Sequence, residues 1–99
     1  MMATSGLQAF ADNGALTIRI TGPMDLLLTS ALREFCHGTG NVYRRYIVDL
    51  RDVSIVRDSG LALLLMLKRL VSRTGATLHV INGNTDLMRR CLRLGISPA

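Results

Sequence analysis

The first part of the chain carries a two-residue repeat of apolar positions. Within the segment 15–21, residues 16–21 alternate strictly between apolar and polar side chains, which predicts a half-buried strand. The Asp-Asn-Gly sequence at residues 12–14 tolerates positive φ angles and predicts a hairpin with a weaker strand over residues 7–11. Gly22-Pro23 predicts the end of the second strand.

Three other segments repeat apolar residues every three to four positions, as one face of a helix requires. Asp25 is a candidate N-cap of the first helix, which the glycine-rich residues 38–41 end. The second helix covers about residues 58–73, and Asn84 or Thr85 caps the third. The predicted buried rows of the last two helices are Leu63, Leu64, Leu67 and Val71, and then Leu87, Met88, Cys91, Leu92 and Leu94.

Apolar runs between the helices predict two more strands. Residues 46–50 are mostly continuous apolar sequence, which is typical of a strand buried on both faces, and residues 77–81 form the last clear strand. The predicted order is β-β-α-β-α-β-α. Such alternation indicates the α/β class, with a mixed sheet and helices packed on it. The 99 residues suit one domain, which we expect to span residues 1–99.

The net charge of +5 is unevenly distributed. Residues 1–56 hold five arginines and five acidic residues, so the whole excess lies beyond them. The arginines are spread over several elements, and only four aromatic residues are present. This pattern argues against direct nucleic-acid binding and is compatible with an acidic patch on a protein partner.

The sequence also indicates the cellular compartment in which we expect the protein. No stretch of about 20 apolar residues is present to span a bilayer, and the first residues do not form a secretory signal. Cys36 and Cys91 lack the spacing of a redox motif and fall on apolar sides of helical patterns, which predicts buried, reduced thiols. We therefore expect a cytoplasmic protein without membrane insertion.

Groups that could support catalysis do not converge in the sequence. Cys36 and His37 are adjacent, so on a helix their side chains diverge by about 100°. His79 lies in the middle of a strand, which favours a structural role. No phosphate-binding glycine loop and no metal-ligand spacing occurs. We expect no enzymatic activity, no cofactor and no metal site.

The start of the second helix is the most distinctive position in the chain. This helix is apolar on nearly every side, so Leu61 and Leu65 fall on a face apart from the predicted core row, beside Lys68. Exposed apolar side chains next to a charged helix start suit a docking site; the alternative is that a neighbouring element covers them. Asp58 suits either an N-cap or a position that recognises charge.

Residues 48–54 (VDLRDVS) and 58–64 (DSGLALL) resemble the STAS domain, the fold of bacterial anti-sigma factor antagonists. The resemblance covers almost the whole chain, including the hairpin, the turn at residues 22–25 (GPMD) and the strand that ends at Asn82. It implies a STAS-like mixed sheet and a regulatory role in partner switching.

The resemblance also implies a phospho-switch in the loop before the second helix. In such antagonists this loop typically reads Asp-Ser-Ser-Gly or Asp-Ser/Thr-x-Gly. A partner kinase, itself the anti-sigma factor, phosphorylates the first hydroxyl residue, and the modified form dissociates from it. Here Asp58 stands at the phosphoacceptor position and Arg57 at the preceding acid. Three interpretations follow: an unswitched antagonist, a shift of the acceptor to Ser59, or a different partnership, such as a STAS accessory subunit of a phospholipid-transport ABC ATPase.

These observations predict a non-catalytic regulatory protein that binds an anti-sigma factor or switch kinase, or a phosphatase, as a monomer or weak dimer. Asp58 is assigned to helix capping and charge recognition, Gly60 to close backbone approach, and Leu61 and Leu65 to apolar anchoring. The predicted partner-binding residues are Met24, Asp25, Arg57, Asp58, Ser59, Gly60, Leu61, Leu65 and Lys68.

Overall fold

The computed structural model describes residues 2–4, 6–25, 28–39 and 43–99, and the side chains of residues 6–25, 28–34 and 43–99. The strands are β1 (Met2–Thr4), β2 (Leu7–Asp12), β3 (Ala15–Met24), β4 (Arg45–Val56), β5 (Thr77–Ile81) and β6 (Ser97–Pro98). The helices are α1 (Thr29–Thr39), α2 (Asp58–Ser72) and α3 (Thr85–Arg93).

The strands form one six-stranded mixed sheet in chain order. β1, β2 and β3 pair antiparallel, whereas β3, β4, β5 and β6 pair parallel. Each parallel connection contains a helix, as crossover connections require. The predicted α/β class and mixed sheet are confirmed, and the sheet gains two short strands at its edges that the sequence pattern did not indicate.

The β2–β3 hairpin forms where its turn sequence predicts it. Asn13 and Gly14 have φ angles of 48° and 78°, the left-handed values that a tight hairpin turn uses. On β3, the three alternating apolar side chains are fully buried. They are Leu16, Ile18 and Ile20.

Gly22-Pro23 does not end β3, contrary to the prediction. The strand continues to Met24 and pairs with Val56, with register shifts on either side of Gly22. Gly22 has a φ of 88°, so an irregularity of the bulge type accommodates both residues within the strand. The helix α1 begins at Thr29, and just before it the carbonyl of Asp25 accepts a hydrogen bond from Leu28 N at 3.2 Å. The role of Asp25 as an N-cap stays a prediction.

β4 is more than twice as long as residues 46–50 alone. Its second half is rich in β-branched residues, Val53, Ile55 and Val56, which favour extended structure. The prediction that this strand is buried on both faces is wrong at Ile47, which is partly exposed. One sheet face carries the core, because the buried side chains of all three helices form a single cluster with those of β3, β4 and β5.

The helical core rows are confirmed for α2 but only partly for α3. Leu63, Leu64, Leu67 and Val71 are all buried. On α3 Leu87 and Cys91 are buried, whereas Leu92 is 55% exposed. Because successive residues of a helix lie about 100° apart around its axis, Leu92 points away from the core that Cys91 contacts. The prediction that Leu92 is buried is wrong. Asn84 caps α3 as predicted, and its Oδ1 accepts a hydrogen bond from Leu87 N at 2.8 Å.

Cys91 is a free, buried thiol, as expected. Burial raises the pKa of this thiol, because a thiolate is poorly solvated in an apolar interior. The side chains of Cys36 and His37, to which the sequence also drew attention, lie outside the described residues. Within the described part of the chain, no helix is both long and apolar enough to cross a membrane.

Candidate docking site

The predicted docking residues gather where β3 and β4 end side by side. A single residue, Arg57, connects the end of β4 to the first residue of α2. Its N–H donates to the carbonyl of Met24 at 3.3 Å, which fixes the start of α2 against the end of β3. This is the carboxyl end of the parallel strands, where α/β sheets commonly present binding sites.

Gly60 allows α2 to approach β3 closely. Its position is buried, and a Cβ added there would overlap the carbonyl oxygen and carbon of Met24. Gly60 thus permits a close backbone approach within the fold, between α2 and β3, whereas its part in binding a partner stays a prediction. The same packing buries the Met24 side chain completely, at 0% exposure. The prediction that Met24 belongs to the exposed docking surface is wrong, because that side chain points into the core.

Arg57, not Asp58, occupies the N-cap position of α2. Arg57 has the extended backbone typical of an N-cap, with φ −94° and ψ 162°, and this cap makes no side-chain hydrogen bond. Its carbonyl accepts hydrogen bonds from Gly60 N at 2.9 Å and Leu61 N at 3.2 Å. Asp58 is the first helical residue, so its predicted capping role is wrong; what remains is a carboxylate at the positive end of the helix dipole.

Asp58 is exposed and Ser59 is partly exposed beside it. On the other side of the loop, Arg57 Nε lies 4.0 Å from Asp25 Oδ2, with the two side chains 63% and 19% exposed. Such a long, solvated pair contributes about 0–1 kcal/mol. This region therefore presents the Asp58 carboxylate and the Arg57 guanidinium to solvent, which is a polar surface available to a partner, while Asp25 is largely covered.

The remaining predicted anchors differ in their surroundings. Leu61 is partly buried and packs against the core, so a neighbouring element covers part of it. Leu65 is partly exposed. Lys68 Nζ donates to the carbonyl of Leu94 at 3.4 Å, which satisfies a carbonyl at the end of α3. Lys68 thus ties α2 to α3.

A shallow groove between α1 and α2 adds residues that the sequence did not single out for docking. Its volume is about 430 Å³, and Leu65, Met66 and Leu70 lie along it together with three arginines. We name it the α1–α2 groove. The arginines are Arg33, Arg69 and Arg73. The sequence shows that Arg69 and Arg73 lie one turn apart on the predicted second helix. Arg33 belongs to α1, so only the packing of α1 on α2 shows that the three arginines together form a basic rim of the groove.

Asp49 forms a polar network on the opposite face of the sheet. Its side chain is buried, at 3% exposure, and Oδ1 accepts from Arg51 N at 3.0 Å and from Asn82 Nδ2 at 3.1 Å. Arg19 Nε donates to Oδ2 at 3.4 Å. This network links β3, β4 and the residue after β5. Sequence reasoning missed it, although an aspartate inside an apolar strand was the available signal.

The network also governs the ionisation of Asp49. Burial by itself raises the pKa of a carboxylic acid, but here hydrogen bonds from Arg51 N and Asn82, together with the charge of Arg19, outweigh it. The pKa of Asp49 is therefore held below its ordinary value. Asp49 is an ionised structural group that joins neighbouring strands.

His79 and the other titratable groups form no reactive cluster in the described structure. His79 Nε2 lies 3.1 Å from Thr77 Oγ1, while Nδ1 is buried without a described partner. No group of three His, Cys, Asp or Glu side chains within the described residues is arranged to hold a metal ion. On the predicted docking helix, the described surface combines an exposed helix start with a groove that has a basic rim further along α2.

Comparison with known proteins places this arrangement in a defined fold. No protein-family model matches the sequence, and neither does any curated protein. Among solved structures, the unphosphorylated anti-sigma factor antagonist SpoIIAA is similar, with a TM-score of 0.76 and 17% identity over 94% of this chain and 86% of that one. A variant of RsbS from Moorella thermoacetica has a TM-score of 0.76 and 13% identity, over 94% of this chain and 85% of that one.

A third similar structure is the STAS domain of a SulP transporter from Vibrio cholerae. Its TM-score is 0.68, with 14% identity over 91% of this chain and 77% of that chain. The chain therefore has the STAS fold. The matched structures include an anti-sigma factor antagonist and a transporter domain, so the fold by itself does not determine the partner.

Proposed function

We propose that this protein is a non-catalytic regulator of the anti-sigma factor antagonist type, which docks onto an anti-sigma factor or switch kinase in the cytoplasm. The observation that carries the proposal is the start of α2, where Arg57, Asp58 and Ser59 are exposed or partly exposed. Close packing of Gly60 against Met24 fixes the start of α2 against β3, and a preorganised segment lowers the entropy cost of binding.

Asp58 gives the site a permanent charge at the position where the family resemblance implies a phosphorylated hydroxyl. The carboxylate supplies about one negative charge, against about 1.5–2 for a phosphate at neutral pH. We infer that the partner recognises Asp58 directly. Ser59 is the hydroxyl nearest to it along the helix, and a phosphate there would also lie at the favourable end of the helix dipole.

The α1–α2 groove supplies the apolar and basic part of the same surface. Leu65 lies in the groove beside Arg69 and Arg73, and a partly exposed leucine surrounded by arginines is suited to anchor a partner with an acidic rim. The net charge of +5 favours association with such a partner at low ionic strength.

Affinity capture from an extract of the source organism, followed by mass spectrometry, tests this function. Capture of an anti-sigma factor, a switch kinase or a phosphatase by the wild-type bait supports the proposal. Capture of an ABC ATPase with its membrane permease overturns it and assigns the protein to transport. A Leu65→Asp bait should capture less of the partner than the wild type. The matched control is a Leu92→Asp bait, which should capture it normally, because Leu92 is an exposed leucine on α3 outside the proposed surface.

A further inference from the structure

The second half of β4 extends beyond the end of its neighbour β5. β5 pairs with β4 up to the Asp49–Ile81 pair, whereas β4 continues to Val56 and stays paired with β3 through Met24. We name residues 51–56 the β4 overhang. On the side away from β3, no strand among the described residues pairs with it. Arg51 N already donates to Asp49 Oδ1. Beyond it, backbone groups along such an edge form hydrogen bonds with water or with an added chain.

Local backbone geometry creates this free edge. Asn82, the residue after β5, has a φ of 63°, which turns the chain away from the strand direction. Gly83 then lies directly against the sheet, since a Cβ there would come within 3.2 Å of Leu50 Cδ1 and 3.3 Å of Leu87 Cδ2. The loop thus leaves the line of β5 immediately, and the space beside the overhang is not filled by β5.

A groove of about 540 Å³ occupies that space. Its walls are the overhang on one side and the start of α3 on the other, with Leu50, Val53 and Leu87 as apolar lining. This volume is in the range of ordinary ligand clefts. Leu50 and Leu87 are buried, so Val53 and Val56 are the partly exposed apolar residues of a mainly polar lining. The groove therefore combines a free strand edge with a recess for side chains, the two features that binding by strand addition needs.

The charge of the groove favours an acidic occupant. Its lining contains Arg51 and Arg90 against a single carboxylate, Asp86. Arg90 Nε is 3.1 Å from Asp86, which leaves further guanidinium donors for another acceptor. Arg51 is exposed, and no ion pair of its side chain is found within the described residues.

We infer that the β4 overhang binds an extended acidic segment of a protein partner, which adds to the sheet as a strand in the line of β5. Ile55 supports this assignment. Its side chain lies on the overhang and is 52% exposed, and an added strand would place one of its own side chains beside it. This surface is separate from the α1–α2 groove.

A titration of the isotopically labelled full chain, followed by amide chemical shifts, tests the inference. The probe is a capped nine-residue peptide of alternating glutamate and valine. We expect saturable shifts at the overhang and at residues 82–90. The same peptide with alternate backbone amides methylated should not bind, because strand addition needs those N–H groups. A lysine-for-glutamate version should bind more weakly.

Two variants of α3 distinguish specific binding in the groove beside the β4 overhang from non-specific electrostatic attraction. Arg90→Gln should weaken binding of the acidic peptide by about tenfold, as expected for the loss of a charge-assisted hydrogen bond. Arg93→Gln removes another exposed arginine of α3 that lies outside the groove and should leave the affinity unchanged. Leu65→Asp should also leave it unchanged, so the failure of this inference is distinguishable from failure of the proposed function.

Three outcomes would overturn the inference. The first is equal binding by the amide-methylated peptide, and the second is a shift pattern confined to other surfaces. The third is self-association without peptide that shifts the same overhang amides on dilution, since that result would assign the edge to a second copy of the chain.

Discussion

Gly60 determines how closely the second helix approaches the sheet. Its missing side chain lets the helix backbone contact the Met24 carbonyl. The contacted atoms belong to the backbone of β3, so they cannot move aside as the flexible end of a side chain could. A methyl group there requires the helix to move. The residue is thus needed for the position of the whole docking loop, including Asp58, although Gly60 itself is buried.

We expect Gly60→Ala to lower the free energy of unfolding by about 1–3 kcal/mol, the usual cost of overpacking. This cost exceeds the gain of up to ~1 kcal/mol in helix propensity that alanine brings. Urea denaturation measures the change. Ser59→Ala is the control at the adjacent, partly exposed position and should change stability by less than about 0.5 kcal/mol. Unchanged or increased stability of Gly60→Ala would contradict the close packing.

Asp49 makes part of the stability dependent on pH. Because its folded-state pKa is lowered, its contribution is fully present above the unfolded-state pKa of about 3.9 and is lost as the pH falls through the folded value. We expect Asp49→Asn to be less stable near neutral pH and to lose less stability between pH 5 and pH 3 than the wild type.

Urea midpoints measured across that pH range test this prediction. Asp52→Asn serves as the matched control, since Asp52 lies on the same strand but is exposed, and this variant should keep the wild-type pH dependence. If Asp49→Asn and the wild type lose stability in parallel below pH 5, the network does not hold an ionised Asp49.

At the scale of secondary structure, the starts of α2 and α3 differ in how they are capped. Asn84 accepts a hydrogen bond from the backbone of α3, whereas the N-cap of α2 makes no side-chain bond. We expect Asn84→Ala to cost about 0.5–2 kcal/mol of stability. Asp58→Ala should cost only about 0.3–1 kcal/mol, since it loses a dipole interaction and no cap.

Chemical denaturation at low salt, repeated at high salt, distinguishes the two cases. The cost of Asp58→Ala should shrink at high salt because dipole interactions are screened, whereas the cost of Asn84→Ala should persist. A large cost of Asp58→Ala that salt does not change would indicate a capping bond after all.

The sequence predicted strands and helices well where the apolar residues follow a single regular spacing. The strict alternation on β3 and the apolar row of α2 both appear in the core. The pattern was less informative where pairing with another strand determines the secondary structure. On the β4 overhang, polar residues interrupt the apolar ones, but the backbone is extended because it pairs with β3. Burial of Met24 likewise depends on a helix that arrives more than thirty residues later.

At the scale of the whole molecule, three helices cover one face of the sheet, and the proposed binding surfaces lie around its parallel half. The start of α2 was predictable because a polar Asp-Ser-Gly sequence precedes an apolar helix. The basic rim of the α1–α2 groove was not, because its arginines come from two helices. The STAS fold is compatible with several kinds of partner, so function has to be tested at these surfaces.

The most direct test of the central claim is the affinity of the captured partner for three purified proteins, measured by calorimetry. We expect Leu65→Asp to weaken binding by at least about tenfold, as for a hot-spot anchor, while Leu92→Asp binds like the wild type. Wild-type affinity for Leu65→Asp, or an equal loss for both variants, would contradict docking through the α1–α2 groove.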